Sequence, residues 1–324
     1  MLALLLFSSC SAINNHPKMS NNPMLCDPDS GICEMPATAK SAVTVAVPIS
    51  NGADKLIQIT YFTDPICSSC WGIEPQLRRM KLEYGDHLHI EYRMGGLLPD
   101  WNYNSGGISK PSDVAGHWDE VSYHYDMPID GDVWLEDPLP SSYPPSIAFK
   151  AAQIQDEKKA IAFMRRIREM VFLEKKNIAR WEPLEKAALE TGLDAPRMKT
   201  DMEGTALQAF QKDLELSRSM GVRGFPTLFF SDASGNRLTL YGAKPYAQFE
   251  QNLRALLPDA SKNVFDASPE SLFAQYPTLT SREFATLSGK PRDEAERVLS
   301  GLFQEKKLSK TTTKNGVLWI WAKG

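Results

Sequence analysis

Hydrophobic positions follow two periods along this chain, and the switches between them mark the elements. Lys55 to Phe62 carries Leu56, Ile57, Ile59, Tyr61 and Phe62 in nearly continuous apolar order, the pattern of a buried strand. Ile73, Leu77, Met80 and Tyr84 then recur at helical spacing, which predicts a helix from Cys67 to about Glu83 with Gly85 as its C-cap. His87 to Met94 alternates as a second strand. Residues 95–145 are rich in Gly, Pro, Asn, Asp and aromatics with weak periodicity; so long a loop is expected to be functional or partly helical.

From Pro145 the helical period returns. Ile161, Met164, Ile167 and Val171 share one face, with Arg165, Arg166 and Arg168 placed largely off it. Further helices are predicted over Glu182–Glu190 and Asp201–Met220. Thr227–Ser231 and Leu238–Tyr241 read as strands of a hairpin, and a helix from Pro245 to Leu257 follows. Residues 259–278 read as a linker. Helices over Thr280–Leu287 and Pro291–Lys307, then strands Ser309–Lys314 and Val317–Trp321 around an Asn315-Gly316 turn, suggest a small winged-helix-like unit at 279–324. The expected organisation is an N-terminal arm over residues 1–53, an α/β domain over 54–258 with a helical insertion at about 100–205, the linker, and that unit.

Composition narrows the class. At ~150 residues per domain, 324 residues suggest about two domains. With 42% hydrophobic and 23% charged residues the chain is not mainly disordered, collagenous or coiled-coil. No run approaches the ~20 apolar residues of a spanning helix, which excludes a polytopic membrane protein. The chain's net charge is −4, but residues 280–324 carry a net of +4. Lys306, Lys307, Lys310 and Lys314 could touch phosphates; so small an excess points away from nucleic acid as a partner.

At the N-terminus, Leu2 to Phe7 is apolar and precedes Cys10. A periplasmic lipoprotein anchored through Cys10 is one reading. The run is short and no basic residue precedes it, so a start at Met19 and a cytoplasmic chain is the other.

Cys67-Ser68-Ser69-Cys70 sits where a strand gives way to a helix. Unpaired N–H groups and the partial positive charge of a helix start favour a thiolate there, and two intervening residues let the second thiol resolve a mixed disulfide. Cys67 is the expected attacking sulfur and Cys70 the more buried resolving one. Half of a zinc site and a structural disulfide are the alternatives; His87 and His89, the nearest further ligands, fall on a predicted strand. Cys26 and Cys33, with six residues between them, bracket a turn sequence. They suit a local staple, an auxiliary redox pair exchanging with Cys67–Cys70, or a zinc contribution with His16. Trp71, Trp101, Tyr103, Trp118, Tyr123 and Trp134 could line a groove or fill the insert, and His117 and His124 could tune Cys67.

Gly221-Val-Arg-Gly-Phe225-Pro226-Thr227 supplies the second half of a pattern. Together with the CxxC it resembles the DsbA-like branch of the thioredoxin superfamily over about residues 55–257. That resemblance implies a thioredoxin fold with a helical insertion, a cis Pro226 beside the sulfurs, and a substrate strand pairing at Phe225. The segment Tyr61–Pro75, Leu82-Glu-Tyr-Gly85 and Ser142–Ser146 are similar to the YjbH-like (SpxH) group. Its known members include a cytoplasmic adapter for the ClpXP protease. The implied function is thiol–disulfide exchange with protein substrates and a redox partner protein, without metal or organic cofactor; a protease adapter is the alternative. A glutathione-using isomerase is disfavoured, because such enzymes usually place serine where this chain has Cys67.

Overall fold

In a computed structural model, residues 26–27, 30–34, 56–102 and 110–322 are described. Expectations for Cys10, His16, Met19, Tyr103 and most of the arm lie outside them. Two short strands come first, β1 (Cys26–Asp27) and β2 (Ile32–Glu34), paired antiparallel. The central strand β3 (Ile57–Thr63) is buried at every position, as its apolar run requires. The helix expected after it is two helices, α1 (Ser68–Gly72) and α2 (Glu74–Tyr84). They break at Ile73 because Pro75 occupies the first turn of the second and has no N–H to continue the first. β4 (Leu88–Met94) alternates buried and half-buried residues and runs parallel to β3.

The stretch read as a weakly periodic loop contains a 14-residue helix, α3 (Ser112–Tyr125), and a single turn, α4 (Val133–Glu136). Its apolar positions are interrupted by Gly116 and by polar residues that the tertiary structure buries, such as His117 and Ser122. Helices α5 (Tyr143–Gln155), α6 (Glu157–Phe172) and α7 (Trp181–Glu190) follow. The long helix expected over 201–220 is interrupted at Gly204, giving α8 (Ala195–Glu203) and α9 (Thr205–Ser219). Helices α3–α9 thus stand between β4 and the short β5 (Gly224–Phe225), which the sequence did not assign. β6 (Thr227–Asp232), β7 (Arg237–Tyr241) and α10 (Tyr246–Leu256) complete the α/β part. The sheet order is β4-β3-β6-β7, with β6 antiparallel to both neighbours. β5 belongs to a separate small sheet, β1-β2-β5.

The stretch expected to be a linker holds α11 (Pro269–Gln275), whose Leu272 and Phe273 are buried, and leads into β8 (Thr278–Thr280). With α12 (Ser281–Ser288), α13 (Arg292–Gln304), β9 (Leu308–Thr313) and β10 (Gly316–Trp321) they enclose a second apolar core around Leu279, Phe284, Leu299 and Trp319. The basic side chains of this unit bind its own surroundings. Lys314 pairs with Asp119 and Asp132 of the insert, Lys307 with Glu305, and Lys310 lies over Phe303 and Trp319. Among the described residues, no helix is long and apolar enough to cross a membrane.

One buried carboxylate fastens this unit to the rest. Glu283 is fully buried at the third position of α12, where its side chain accepts the Thr280 amide at 2.7 Å in a capping box. Its other contacts cross to the α/β part: Arg165 of α6 donates to both carboxylate oxygens, at 2.8 and 3.0 Å, and Arg78 of α2 stands 3.3 Å away. Burial acts to raise its pKa, but the two guanidinium charges outweigh it and hold the carboxyl below its usual value. Glu283→Gln keeps the shape and removes the charge. It is expected to cost on the order of 3 kcal/mol in denaturant unfolding and to expose residues 258–278 to protease; a change under about 1 kcal/mol would mean that apolar contacts alone hold the unit.

Candidate functional site

β3 delivers its C-terminal end to a tight turn at Asp64-Pro65-Ile66. Asp64 is fully buried and ties three segments together: it accepts the Ile66 amide at 3.0 Å, the Leu97 amide at 2.7 Å and the Ser142 hydroxyl at 2.8 Å. Burial pushes its pKa up to about 6, against the pull of those donors and of Arg168. The turn sets Cys67 at the N-cap of α1, where its sulfur accepts the Cys70 amide at 3.2 Å. Both thiols are free, and neither has any exposed surface, so burial does not distinguish them.

The charge distribution differs from the one the helix start suggests. Burial is the first effect on both thiols. At Cys67 it acts with the hydrogen bond to Cys70, the charge of Cys70 and that of Asp64, and the thiol is pushed up. At Cys70 it is outweighed by the hydrogen bond with Cys67, by the Arg168 charge and by hydrogen bonds with Thr63 and Tyr61, and the thiol is pulled down. Of the two thiols, Cys70 is thus the one favoured as thiolate.

Arg168 is the residue the sequence pattern misplaced. It lies four residues after Met164 and seven after Ile161, on the apolar stripe of α6 and not off it, and it is fully buried. Its guanidinium donates to Glu74 at 2.5 Å, to the Thr63 hydroxyl at 2.7 Å and to the Asp64 carbonyl at 3.2 Å. Asp64 was legible only as a residue preceding proline at a strand end, and Tyr125 only as one aromatic among many. Tyr125 shares a 3.0 Å hydrogen bond with Ser69, and a Cβ at Gly72 would lie 2.6 Å from its ring.

The Phe225–Pro226 peptide bond is cis, and the Phe225 ring packs where Gly95 has no side chain: a Cβ there would lie 1.7 Å from it. β5 pairs antiparallel with β2, in the register Cys33↔Phe225 and Glu34↔Gly224. β2 brings Cys33, fully buried and disulfide-bonded, to Cys67, whose sulfur donates to that of Cys33 at 3.2 Å. Cys26 is the residue opposite Cys33 in the β1–β2 register. The loop of this hairpin is held as well: the Ala243 amide donates to the Gly31 carbonyl at 2.6 Å and the Lys244 ammonium to the Ser30 carbonyl at 3.1 Å. Gly31 has φ +71° and faces Ala243 so closely that a Cβ would meet its backbone at 2.6 Å. Cys67, Cys70, Phe225, Pro226 and Cys33 thus meet in one place.

Other candidates go elsewhere. Trp71, Trp118 and Trp134 are buried in the core, Trp101 packs beside it, and Tyr123 is exposed. His124 is exposed with its ring edge-on to Tyr125, and His117 faces Glu120. His87 bonds the Ser261 carbonyl, while His89 stands in β4 opposite Gln58. Among the described residues no cluster of His, Cys, Asp or Glu could hold a metal ion. A cavity of about 350 Å³ between α2, α6 and residues 275–278 is lined by Arg78, Tyr92, Arg165 and Tyr276 and by neither cysteine.

A family profile described as Thioredoxin matches residues 61–251. The ClpXP adapter protein SpxH of Halalkalibacterium halodurans is 33% identical over 92% of this chain and 97% of its own length. The chain belongs to the thioredoxin family, in its SpxH group. The Bacillus subtilis protein of the same name is 30% identical over 82% of this chain and 89% of its own. Among solved structures, the cytosolic disulfide reductase DsbM of Pseudomonas aeruginosa superimposes with a TM-score of 0.50 at 23% identity, over 61% of this chain and 99% of that one. That is a likeness of fold, and it places the thioredoxin fold with its DsbA-like helical insertion in the α/β part.

Two consequences are measurable. Asp64 has a folded-state pKa raised from 3.8 to about 6, so its contribution to stability is full below pH ~4 and is lost as pH rises through ~6. The stability advantage of wild type over Asp64→Asn should therefore shrink by on the order of 3 kcal/mol between pH 4 and pH 7.5 in parallel denaturant titrations; a constant difference would deny the shift. Arg168→Met removes the cation that draws charge onto Cys70. The onset of thiolate absorbance should move to higher pH, and an unmoved onset would mean that Arg168 serves packing alone.

Proposed function

We propose that this chain is a ClpXP adapter, binding another protein and presenting it to that protease, with the thioredoxin fold as its frame. One observation carries the reading. The likeness to relatives called ClpXP adapter protein SpxH spans 92% of the chain, too much to end at residue 251, so it takes in part of the C-terminal unit as well as the thioredoxin-matching segment. The geometry supports it. The strand edge at Gly224–Phe225, where an extended protein substrate would pair, is taken by the chain's own β2, and both thiols lie beneath it without exposed surface. A partner protein then meets the outer surface and the C-terminal unit. In this reading the chain works in the cytoplasm, beside the protease.

A second reading, thiol–disulfide oxidoreductase, is favoured by the two free thiols at a helix start beside Phe225–Pro226. In it Cys67 attacks a substrate disulfide, Cys70 resolves the mixed disulfide, and Phe225 and Pro226 hold the substrate strand. One experiment separates the two. ClpXP carrying an inactive ClpP is used as a trap in cells that express wild-type chain, the Cys67→Ser/Cys70→Ser variant, or neither. The adapter reading expects proteins trapped only when the chain is present, equally well with the double variant. Identical trapped sets with and without the chain would reject it. Capture that depends on the cysteines would move the function to disulfide exchange.

A further inference from the structure

The N-terminal hairpin occupies the dithiol in the way a substrate would. β2 adds to β5 as an antiparallel strand beside the cis Phe225–Pro226 bond, the edge-addition by which an extended peptide is recognised. Its register sets Cys33 opposite Phe225, and the Cys33 sulfur, already in a disulfide, stands 3.2 Å from that of Cys67. That distance is within the ~3–3.5 Å of reacting atoms held for attack. The seat is built for the hairpin: Gly31, Gly224 and Gly242 each lack the Cβ that would collide with the opposing segment at 2.5–2.7 Å, and the hairpin loop is bonded by Ala243 and Lys244.

From this geometry we infer that the hairpin disulfide is a tethered substrate of Cys67–Cys70, and that the chain carries out thiol–disulfide exchange within itself. Cys70 starts as the thiolate of the pair and takes the proton of Cys67. The Cys67 thiolate attacks the Cys33 sulfur. The Cys33 disulfide breaks, and its electron pair leaves with the partner sulfur, which the β1–β2 register assigns to Cys26. A Cys33–Cys67 disulfide remains. Cys70 gives up its proton, attacks the Cys67 sulfur and releases the Cys33 thiolate. Two electrons have moved from Cys67 and Cys70 to the hairpin pair; the single proton of the starting pair ends on one hairpin sulfur and its single negative charge on the other. The oxidant is the hairpin disulfide itself, so no further reagent is needed, and every step reverses. This exchange stands whether the chain delivers proteins to a protease or exchanges disulfides with them.

The test uses the full chain with Cys70→Ser at alkaline pH, where buffer takes the Cys67 proton in place of Cys70, so that the first step can run and the second is blocked. The protein, with its hairpin disulfide formed, is incubated with excess iodoacetamide, digested without reduction and read by mass spectrometry. The expected product is a Cys33–Cys67 linked peptide with carbamidomethyl on Cys26, in a yield that does not change on dilution. Cys67 carbamidomethylated while Cys33 keeps its original bond would overturn the inference, as would Cys67 linked to any other cysteine. Wild-type chain serves as the second measurement. Prepared with the hairpin oxidised and Cys67–Cys70 reduced, then treated with iodoacetamide over time, it should yield a Cys67–Cys70 disulfide with both hairpin cysteines capped. Gly31→Val, which unseats the hairpin, should lose that product. Direct capping of Cys67 and Cys70 at the same rate in both proteins would refute the exchange.

Discussion

A guanidinium sealed from water must find acceptors in the protein, and Arg168 finds them in three places at once. It rises from α6 of the insert and reaches Glu74 at the start of α2, the hydroxyl of Thr63 at the end of β3, and the carbonyl of Asp64 in the turn before Cys67. The insert and the sheet are thereby locked in one relation. The same charge lies close enough to Cys70 to draw the negative charge of the dithiol inward. One turn earlier on α6, Arg165 lies over the Trp71 ring and pairs with Glu283 of the C-terminal unit. A single helix thus carries the cations that join the insert to the site and the C-terminal unit to both.

Closure of the site follows from backbone pairing. A two-residue strand such as β5 is a weak element alone, and β2 covers it. The cover takes the β5 edge by the backbone pairing an extended peptide would use, and it places a disulfide sulfur 3.2 Å from that of Cys67. A dithiol with its own disulfide partner in contact need not meet an external substrate to change redox state. Tyr125 shares a hydrogen bond with Ser69 of the dithiol helix and feels the charge of Asp27 in β1, so the dithiol and the arm bear on one side chain.

Much of this was legible in the sequence, because the deciding signals are local. The apolar run before Cys67 is a strand buried along its length, the two thiols with Ser-Ser between them start a helix, and Asn315-Gly316 turns a hairpin. Where the signals are long-range the pattern failed. Arg168 was set off the apolar face because charge was read as exposure, although its spacing from Ile161 and Met164 already put it on the buried stripe. Residues 95–145 are expected to be partly helical, but periodicity does not place α3, because its inward face carries His117 and Ser122, whose burial depends on neighbours far along the chain. The segment before Thr280 resembled a linker, yet Leu272 and Phe273 fill the second core. β5 has only two residues, and no periodicity can reveal a strand whose partner is an arm some 190 residues upstream.

The central claim is that the chain's own β2 fills the strand edge at Gly224–Phe225 above the dithiol. Amide hydrogen exchange of peptides covering residues 224–225 tests it most directly, comparing the full chain with one that begins after Glu34. Protection of those amides in the full chain, lost when the hairpin is removed while β3 and β6 stay protected, is the result the account predicts. Equal exchange in both chains would mean that the edge is open in solution, and the account of a closed, self-substrated site would fail.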